Sequence, residues 1–194
     1  LTLEDLDAIK NTLPTIERIS PEIVLSSYAV QNRKQAKTKL YGVDNSYFDI
    51  FNITLAEGKL FSEEQAEYGV PVCIVGANIK VQFFNNQDPI GQYIKFGDNW
   101  LKIIGVLEKS NFTMTGFEKS GLSVTNDNLY TPVKTMLMRY ENRAIKNQKQ
   151  QNTGMVFFGR GMMSSFGGSA TQQSSSNYNQ LDKIVVQVKE TEQL

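Results

Sequence analysis

This sequence predicts an α+β chain in two lobes, with one mixed α/β lobe built from both chain ends and a β-rich lobe inserted between them. Two observations predict it. Helix and strand patterns alternate at both ends, and the middle between them is compact, β-rich and marked by short apolar runs and turn residues.

The elements follow in order. Thr2-Leu3-Glu4-Asp5 has the Thr-x-x-acid form of a helix N-terminus, and Leu3, Leu6, Ile9 and Leu13 recur at helical spacing until Pro14. Residues 16–43 read as extended, with Ser20-Pro21 expected to break the run. Gln35 to Val43 alternates, placing Ala36, Thr38 and Leu40 on an inner face and Lys37, Lys39 and Tyr41 on a wet one. Asp44 or Asn45 is placed to cap a short helix carrying Tyr47, Phe48, Ile50 and Phe51.

In the middle, Ser62-Glu63-Glu64-Gln65 is a capping box, Val70 to Val75 a buried strand, and Ala77 to Phe84 a helix with Ile79 and Phe83 on one face. Tyr93 to Phe96 and Trp100 to Leu107 flank the turn residues Gly97-Asp98-Asn99 as a hairpin. Tyr93, Phe96 and Trp100 are read as core, with a partner-facing Trp100 as the alternative. Asn111 to Asn126 has no clear period and reads as loop.

At the end, Leu129-Tyr130 is a short strand. Thr131-Pro132 caps and opens a helix through Asn142 with Met136, Leu137 and Tyr140 inward, and Lys183 to Lys189 alternates as a strand with Ile184, Val186 and Val188 inward. The tract at 147–179 is rich in Gln, Asn, Ser and Gly, a composition that cannot bury a core of its own and is expected to be mobile. Within it lie Phe157, Phe158, Arg160, Met162, Met163 and Phe166, adaptable side chains suited to contacting a partner or an apolar substrate.

Composition excludes several functions. Twenty basic residues balance twenty acidic ones, so no charge surplus favours nucleic acid. Mean hydropathy is -0.33, and no apolar run approaches the roughly 20 residues of a membrane span. No signal peptide is recognisable, and both ends fall within ordinary structural pattern, as expected of a domain from a longer protein.

The chain has no histidine, which removes the usual proton shuttle at neutral pH and the commonest metal ligand. Its single cysteine, Cys73, lies in an apolar run and is read as inert core. There is no phosphate loop, and Gly159-Arg160-Gly161 lacks the strand a dinucleotide motif requires. Glu4-Asp5 and Glu63-Glu64 are acid pairs at helix starts, where the helix dipole explains them. Asp88 precedes Pro89 as a turn former, and Asp98-Asn99 and Asn126-Asp127-Asn128 are too short for a calcium loop. No catalytic residue, metal site or cofactor is expected.

A series of phrases carries a family resemblance. They are Leu3-Glu4-Asp5, Ile19-Ser20-Pro21-Glu22, Tyr41-Gly42-Val43-Asp44-Asn45-Ser46-Tyr47-Phe48-Asp49-Ile50, Leu55-Ala56-Glu57-Gly58-Lys59-Leu60-Phe61-Ser62, Asp88-Pro89-Ile90-Gly91-Gln92, Ile103-Ile104-Gly105-Val106-Leu107 and Leu129-Tyr130-Thr131-Pro132. In order and spacing the series resembles the periplasmic core domain of MacB-type ABC transporter permeases, the type VII or FtsX-like group. The tract at 147–179 departs from the pattern. Physically the phrases describe scaffold, with Gly42, Gly58 and Gly91 where turns or unusual backbone angles are expected.

The resemblance implies a Porter-like lobe from residues 1–51 and 127–194, and a Sabre-like lobe at 52–126. It implies a non-catalytic domain at the periplasmic or extracellular face of the bacterial inner membrane that transmits ATP-driven motion, most simply in efflux. The related alternative is a permease for lipoprotein release or regulation of cell-wall hydrolases. Implied partners are transmembrane helices and an ATPase domain of the full-length protein, a periplasmic adaptor and an outer-membrane channel. The permease would be a dimer and the isolated domain a monomer. With transmembrane helices flanking the domain, Leu1 and Leu194 are expected on one side of the fold.

Deleting residues 150–176 is expected to leave a cooperative thermal melt unchanged. A large loss of stability would place that segment in the core.

Overall fold

The computed structural model describes residues 1–12, 15–85, 87–110, 125–140 and 181–189. The stop expected at Pro14 and the tract at 147–179 lie outside these residues. The chain forms α1 (Leu3–Thr12), β1 (Ile16–Gln31), β2 (Lys34–Val43), α2 (Asn45–Ile50), β3 (Leu55–Gly58), α3 (Glu63–Glu67), β4 (Val72–Val75) and α4 (Ala77–Phe84). Next come β5 (Tyr93–Phe96), β6 (Asn99–Leu107), a 3-10 turn at Thr125–Asp127, β7 (Asn128–Pro132), α5 (Val133–Arg139) and β8 (Lys183–Val188). Strands dominate this mixed α/β architecture.

Local chemistry sets the boundaries. The Thr2 amide donates to Asp5 at 2.8 Å while Asp5 N–H donates to the Thr2 hydroxyl, a reciprocal cap at the start of α1. Ser62 and Gln65 form the same device on α3. Asn32 and Arg33 both have positive φ, which gives the β1–β2 hairpin a turn whose twist matches its strands. Asp44 is the N-cap of α2, but its side chain makes no cap bond. Asn45 is used elsewhere: its amide accepts from Phe61 N–H at 3.2 Å and donates to Phe61 C=O at 2.8 Å, clipping the later chain to α2.

The strands join in one eight-stranded sheet, ordered β2-β7-β4-β6-β5-β1-β8, with β3 on β6. Because β1 also pairs β2, the circuit β1-β2-β7-β4-β6-β5 closes on itself. Pairings β2–β7 and β4–β6 are parallel and the others antiparallel. The strands of residues 52–126 lie side by side, and pairings β5–β1 and β4–β7 bond them to the strands of the two chain ends.

Closure creates two cores. Ala29, Leu40, Cys73, Val75, Ile94, Phe96, Leu101, Ile103 and Leu129 come from all six strands of the circuit and fill its interior, packed by Phe83 of α4 and Met136 of α5. On the opposite face α2 brings Tyr47 and Phe48 over Tyr41, Val72, Ile74, Ile104 and Tyr130. Strands buried on both faces need continuous apolar runs, which explains the four fully covered residues of β4.

Several expectations are corrected. β1 is not broken at Ser20-Pro21: Pro21, which has no N–H to donate, sits where pairing with β8 is ending and pairing with β2 begins one residue later. Tyr41 is not on a wet face. It is 3 % exposed and stacks on Tyr130 at 5.4 Å between ring centroids, because α2 roofs that end of the sheet. Gly42 occupies a strand rather than a turn, and a Cβ there would meet Met136 Cβ at 2.8 Å, so it permits the close approach of α5. Thr131 does not cap α5; its hydroxyl donates to the Val72 carbonyl at 2.8 Å, and α5 ends at Arg139. Val186 and Val188 are exposed because β8 is an edge strand, whereas Ile184 and Val185 reach the two cores.

Leu181 N–H donates to the Leu1 carbonyl, and Lys189 N–H to Thr15. The six residues of β8 separate these two points; Leu194 lies outside the described residues.

Two glycines in left-handed conformation distinguish backbone strain from crowding. Gly58 has φ +83° and a Cβ there would stand 2.2 Å from the Ile104 carbonyl oxygen, whereas Gly91 has φ +81° with nothing within 4 Å. Gly91→Ala is expected to cost about 1 kcal/mol, and Gly58→Ala at least about 3 kcal/mol, in urea denaturation. Equal losses would contradict this packing.

Candidate functional site

The described residues hold no assembled catalytic apparatus. Burial pushes the Cys73 thiol well above the usual range, so it stays protonated and unreactive. Asp5 is held below the ordinary carboxylate range by the Thr2 backbone and hydroxyl, which is the chemistry of its cap. Glu63 and Glu64 occupy the first turn of α3. Asp88 accepts from Ile90 N–H at 2.8 Å, the turn-forming role expected of it. Among the described residues no group of three acids or cysteines could hold a metal ion, and no helix is long and apolar enough to cross a membrane.

The most unusual polar group is Glu22 on β1. It is 1 % exposed, and its Oε1 accepts from Lys183 Nζ of β8 at 3.0 Å. Its Oε2 makes no hydrogen bond of good geometry among the described residues, although the Tyr47 phenol lies near enough to interact with the carboxylate. Burial and then the Glu22 charge push the Tyr47 phenol far upward, and burial also raises that of Tyr130. With α2 above it, Glu22 is closed to any substrate. It acts as a tie between strands: Asp182 N–H donates to the Glu22 carbonyl, and the Asp182 carboxylate accepts from Val24 N–H at 2.7 Å.

Of the sequence-predicted contact residues, Phe157, Phe158, Arg160, Met162, Met163 and Phe166 lie outside the described residues. The hairpin aromatics divide. Phe96 is fully buried and accepts at its carbonyl from the Tyr140 hydroxyl, whereas Tyr93 and Trp100 are 51 % and 53 % exposed. Strand period explains the correction, since Tyr93 and Phe96 are three apart and cannot share a face. Trp100, opposite Lys95 in the ladder, takes the outward alternative. Tyr28 on β1 is exposed on the same face of the sheet, a residue the sequence reading missed although its alternation with buried Ala29 marks it.

With no assembled reactive site among the described residues, the relatives indicate a role. The model of the MacB-like periplasmic core domain matches residues 1–194. The chain belongs to that family. It is a periplasmic domain of the ABC transporter permease type, and the family is not a catalytic one.

Among relatives of this MacB-like domain, a macrolide export ATP-binding/permease protein, MacB 2 of Aeromonas hydrophila, is 30 % identical over 139 residues, covering 72 % of this chain and 20 % of the relative. The corresponding protein of Bdellovibrio bacteriovorus is 27 % identical over 143 residues, 74 % of this chain and 21 % of the relative. This chain thus spans about a fifth of the curated relatives it matches. The fold is similar to that of the periplasmic region of MacB from Actinobacillus actinomycetemcomitans, with TM-score 0.60 and 21 % identity over 77 % of this chain and 70 % of that one. It is also similar to the extracellular domain of the noncanonic ABC-type transporter YknZ from Gram-positive bacteria, with TM-score 0.59 and 18 % identity over 70 % and 64 % of the two chains.

The Glu22–Lys183 tie predicts a non-additive pair. Lys183→Met strands a buried carboxylate and is expected to cost about 1–3 kcal/mol, discounted for the partial exposure of Lys183. The double variant Glu22→Met/Lys183→Met is expected to recover most of that loss in the same urea measurement. A double variant less stable than Lys183→Met would refute the account.

Proposed function

We propose that the chain is the extracytoplasmic domain of an ABC transporter permease that works in efflux, passing motion driven by a cytoplasmic ATPase to partners or substrate beyond the membrane. The observation that carries this is the family match over the whole chain, joined to relatives named as macrolide export proteins. The physical design agrees with a mechanical part. A closed strand circuit with filled interior resists deformation, and its one cysteine is buried within that interior.

In this reading residues 1–51 and 127–194 form one lobe and 52–126 the second. The side-by-side placement of β3 to β6 supports treating the middle as a unit. The domain would stand at the outer face of the inner membrane, with transmembrane helices and ATPase supplied by the full-length protein. An adaptor, an outer-membrane channel and a second permease copy would complete a pump. Phe157, Phe158, Arg160, Met162, Met163 and Phe166, in the polar tract, are the proposed contact residues.

The test is made on the full-length protein in its own cell. Removing its gene, or this domain alone, is expected to lower the tolerated macrolide concentration several-fold, and affinity purification is expected to recover an adaptor and an outer-membrane channel. Unchanged tolerance together with recovery of a lipoprotein carrier or a cell-wall hydrolase would replace efflux with the related alternative.

A further inference from the structure

Among the described residues, the outer face of the sheet is covered at one end and open at the other. Where α2 lies, it buries Tyr41, Ile104 and Tyr130. Along the same faces of β1, β2, β5 and β6, away from α2, alternation turns Tyr28, Lys37, Lys39, Tyr93, Lys95, Trp100 and Lys102 outward. The cross-strand ladder sets ring beside cation: Tyr93 faces Lys102, Trp100 faces Lys95 and Tyr28 faces Lys37. All three rings are more than half exposed.

Among the described residues none of these four lysines has a carboxylate partner; the ion pairs present are Glu57–Lys80, Glu22–Lys183 and Arg18 with Glu17 and Asp49. Asp98 stands at the margin, in the β5–β6 turn, and exposed Arg33 at the β1–β2 turn adds a further cation. On a chain of zero formal net charge, this end of the sheet is locally cationic.

The arrangement favours one kind of occupant. Protein interfaces gather apolar side chains at a centre, enrich arginine and deplete lysine. Here lysines alternate with the rings of β5 and β6, and half-buried Val30, opposite Lys95, is the apolar residue between them and Tyr28, too little for an apolar centre. Rings with one polar tip, alternating with long-stemmed ammonium groups, match the headgroup layer of a bilayer. There Tyr and Trp settle at the polar boundary while lysine stems lie along apolar surface and carry charge to phosphate.

We propose that this face docks on an anionic phospholipid surface, with Tyr28, Tyr93 and Trp100 in the headgroup layer and Lys37, Lys39, Lys95 and Lys102 on lipid phosphates. The inference does not depend on the cargo or on efflux.

The experiment uses the 194-residue chain, whose one tryptophan, Trp100, lies on the face and reports on it directly. Vesicles of phosphatidylcholine with about 40 % phosphatidylglycerol are expected to shift Trp100 emission to the blue and to carry the chain down on sedimentation, with binding weakened by salt. Pure phosphatidylcholine vesicles are expected to do neither. Lys95→Glu/Lys102→Glu is expected to weaken binding at least about tenfold, whereas Lys134→Glu, on the exposed side of α5, is expected to leave it within about twofold. Unchanged melting of all three variants checks the fold. Equal loss in the Lys134 variant, or no binding to the anionic vesicles, would overturn the proposal. An emission shift with poly-glutamate but none with vesicles would overturn it in favour of an acidic protein.

Discussion

One strand holds the molecule together. β1 runs for sixteen residues and pairs on both edges, with β2 along its second half on one side and with β8 and then β5 on the other. The contact with β5 is two residue pairs long, yet it closes the circuit whose interior is the larger core. A strand that broke at Pro21 would detach β8 and the start of the chain from the hairpin. Because Pro21 falls where β8 hands over to β2, one continuous strand carries both pairings.

Where one side of an element stays wet, or its ends are marked by local hydrogen bonds, the sequence was informative. α4 is found at Ala77–Phe84 as its i, i+4 apolar pair predicts, α3 begins on the predicted Ser62–Gln65 box, and the β5–β6 hairpin turns on Gly97 with positive φ. Tertiary covering was not legible. Nothing within Lys37-Thr38-Lys39-Leu40-Tyr41 announces that α2 will roof Tyr41 and leave Lys37 bare. Thr131 reads locally as a helix cap, and only the neighbouring β4, 59 residues earlier in sequence, gives its hydroxyl a better acceptor. Glu22 sits in a phrase that reads as a turn, and its burial depends on Lys183 far along the chain.

The candidate site illustrates the same division. The absence of histidine and the apolar setting of Cys73 point away from catalysis in the sequence, and the family to which the chain belongs is a periplasmic domain family. The exposed rings were half visible: strand period alone separates Phe96 from Tyr93, while Tyr28 joins the face of Tyr93 and Trp100 only through the pairing of β1 with β5. A mechanical or docking role is written in faces rather than in motifs, and faces are made by pairing across the sheet.

The amide of Asn126 has a consequence for how such domains diversify. It accepts from Ser110 N–H at 3.0 Å and donates to Ser110 C=O at 2.8 Å, so the chain departs after Ser110 and returns at Thr125 through a fixed gate. A flexible insert placed between these pinned ends would add little closure entropy, on the order of 0.6 kcal/mol per doubling of its length. The gate is thus a place where a lineage could acquire an appendage, or an experimenter add a reporter, without re-pairing the sheet.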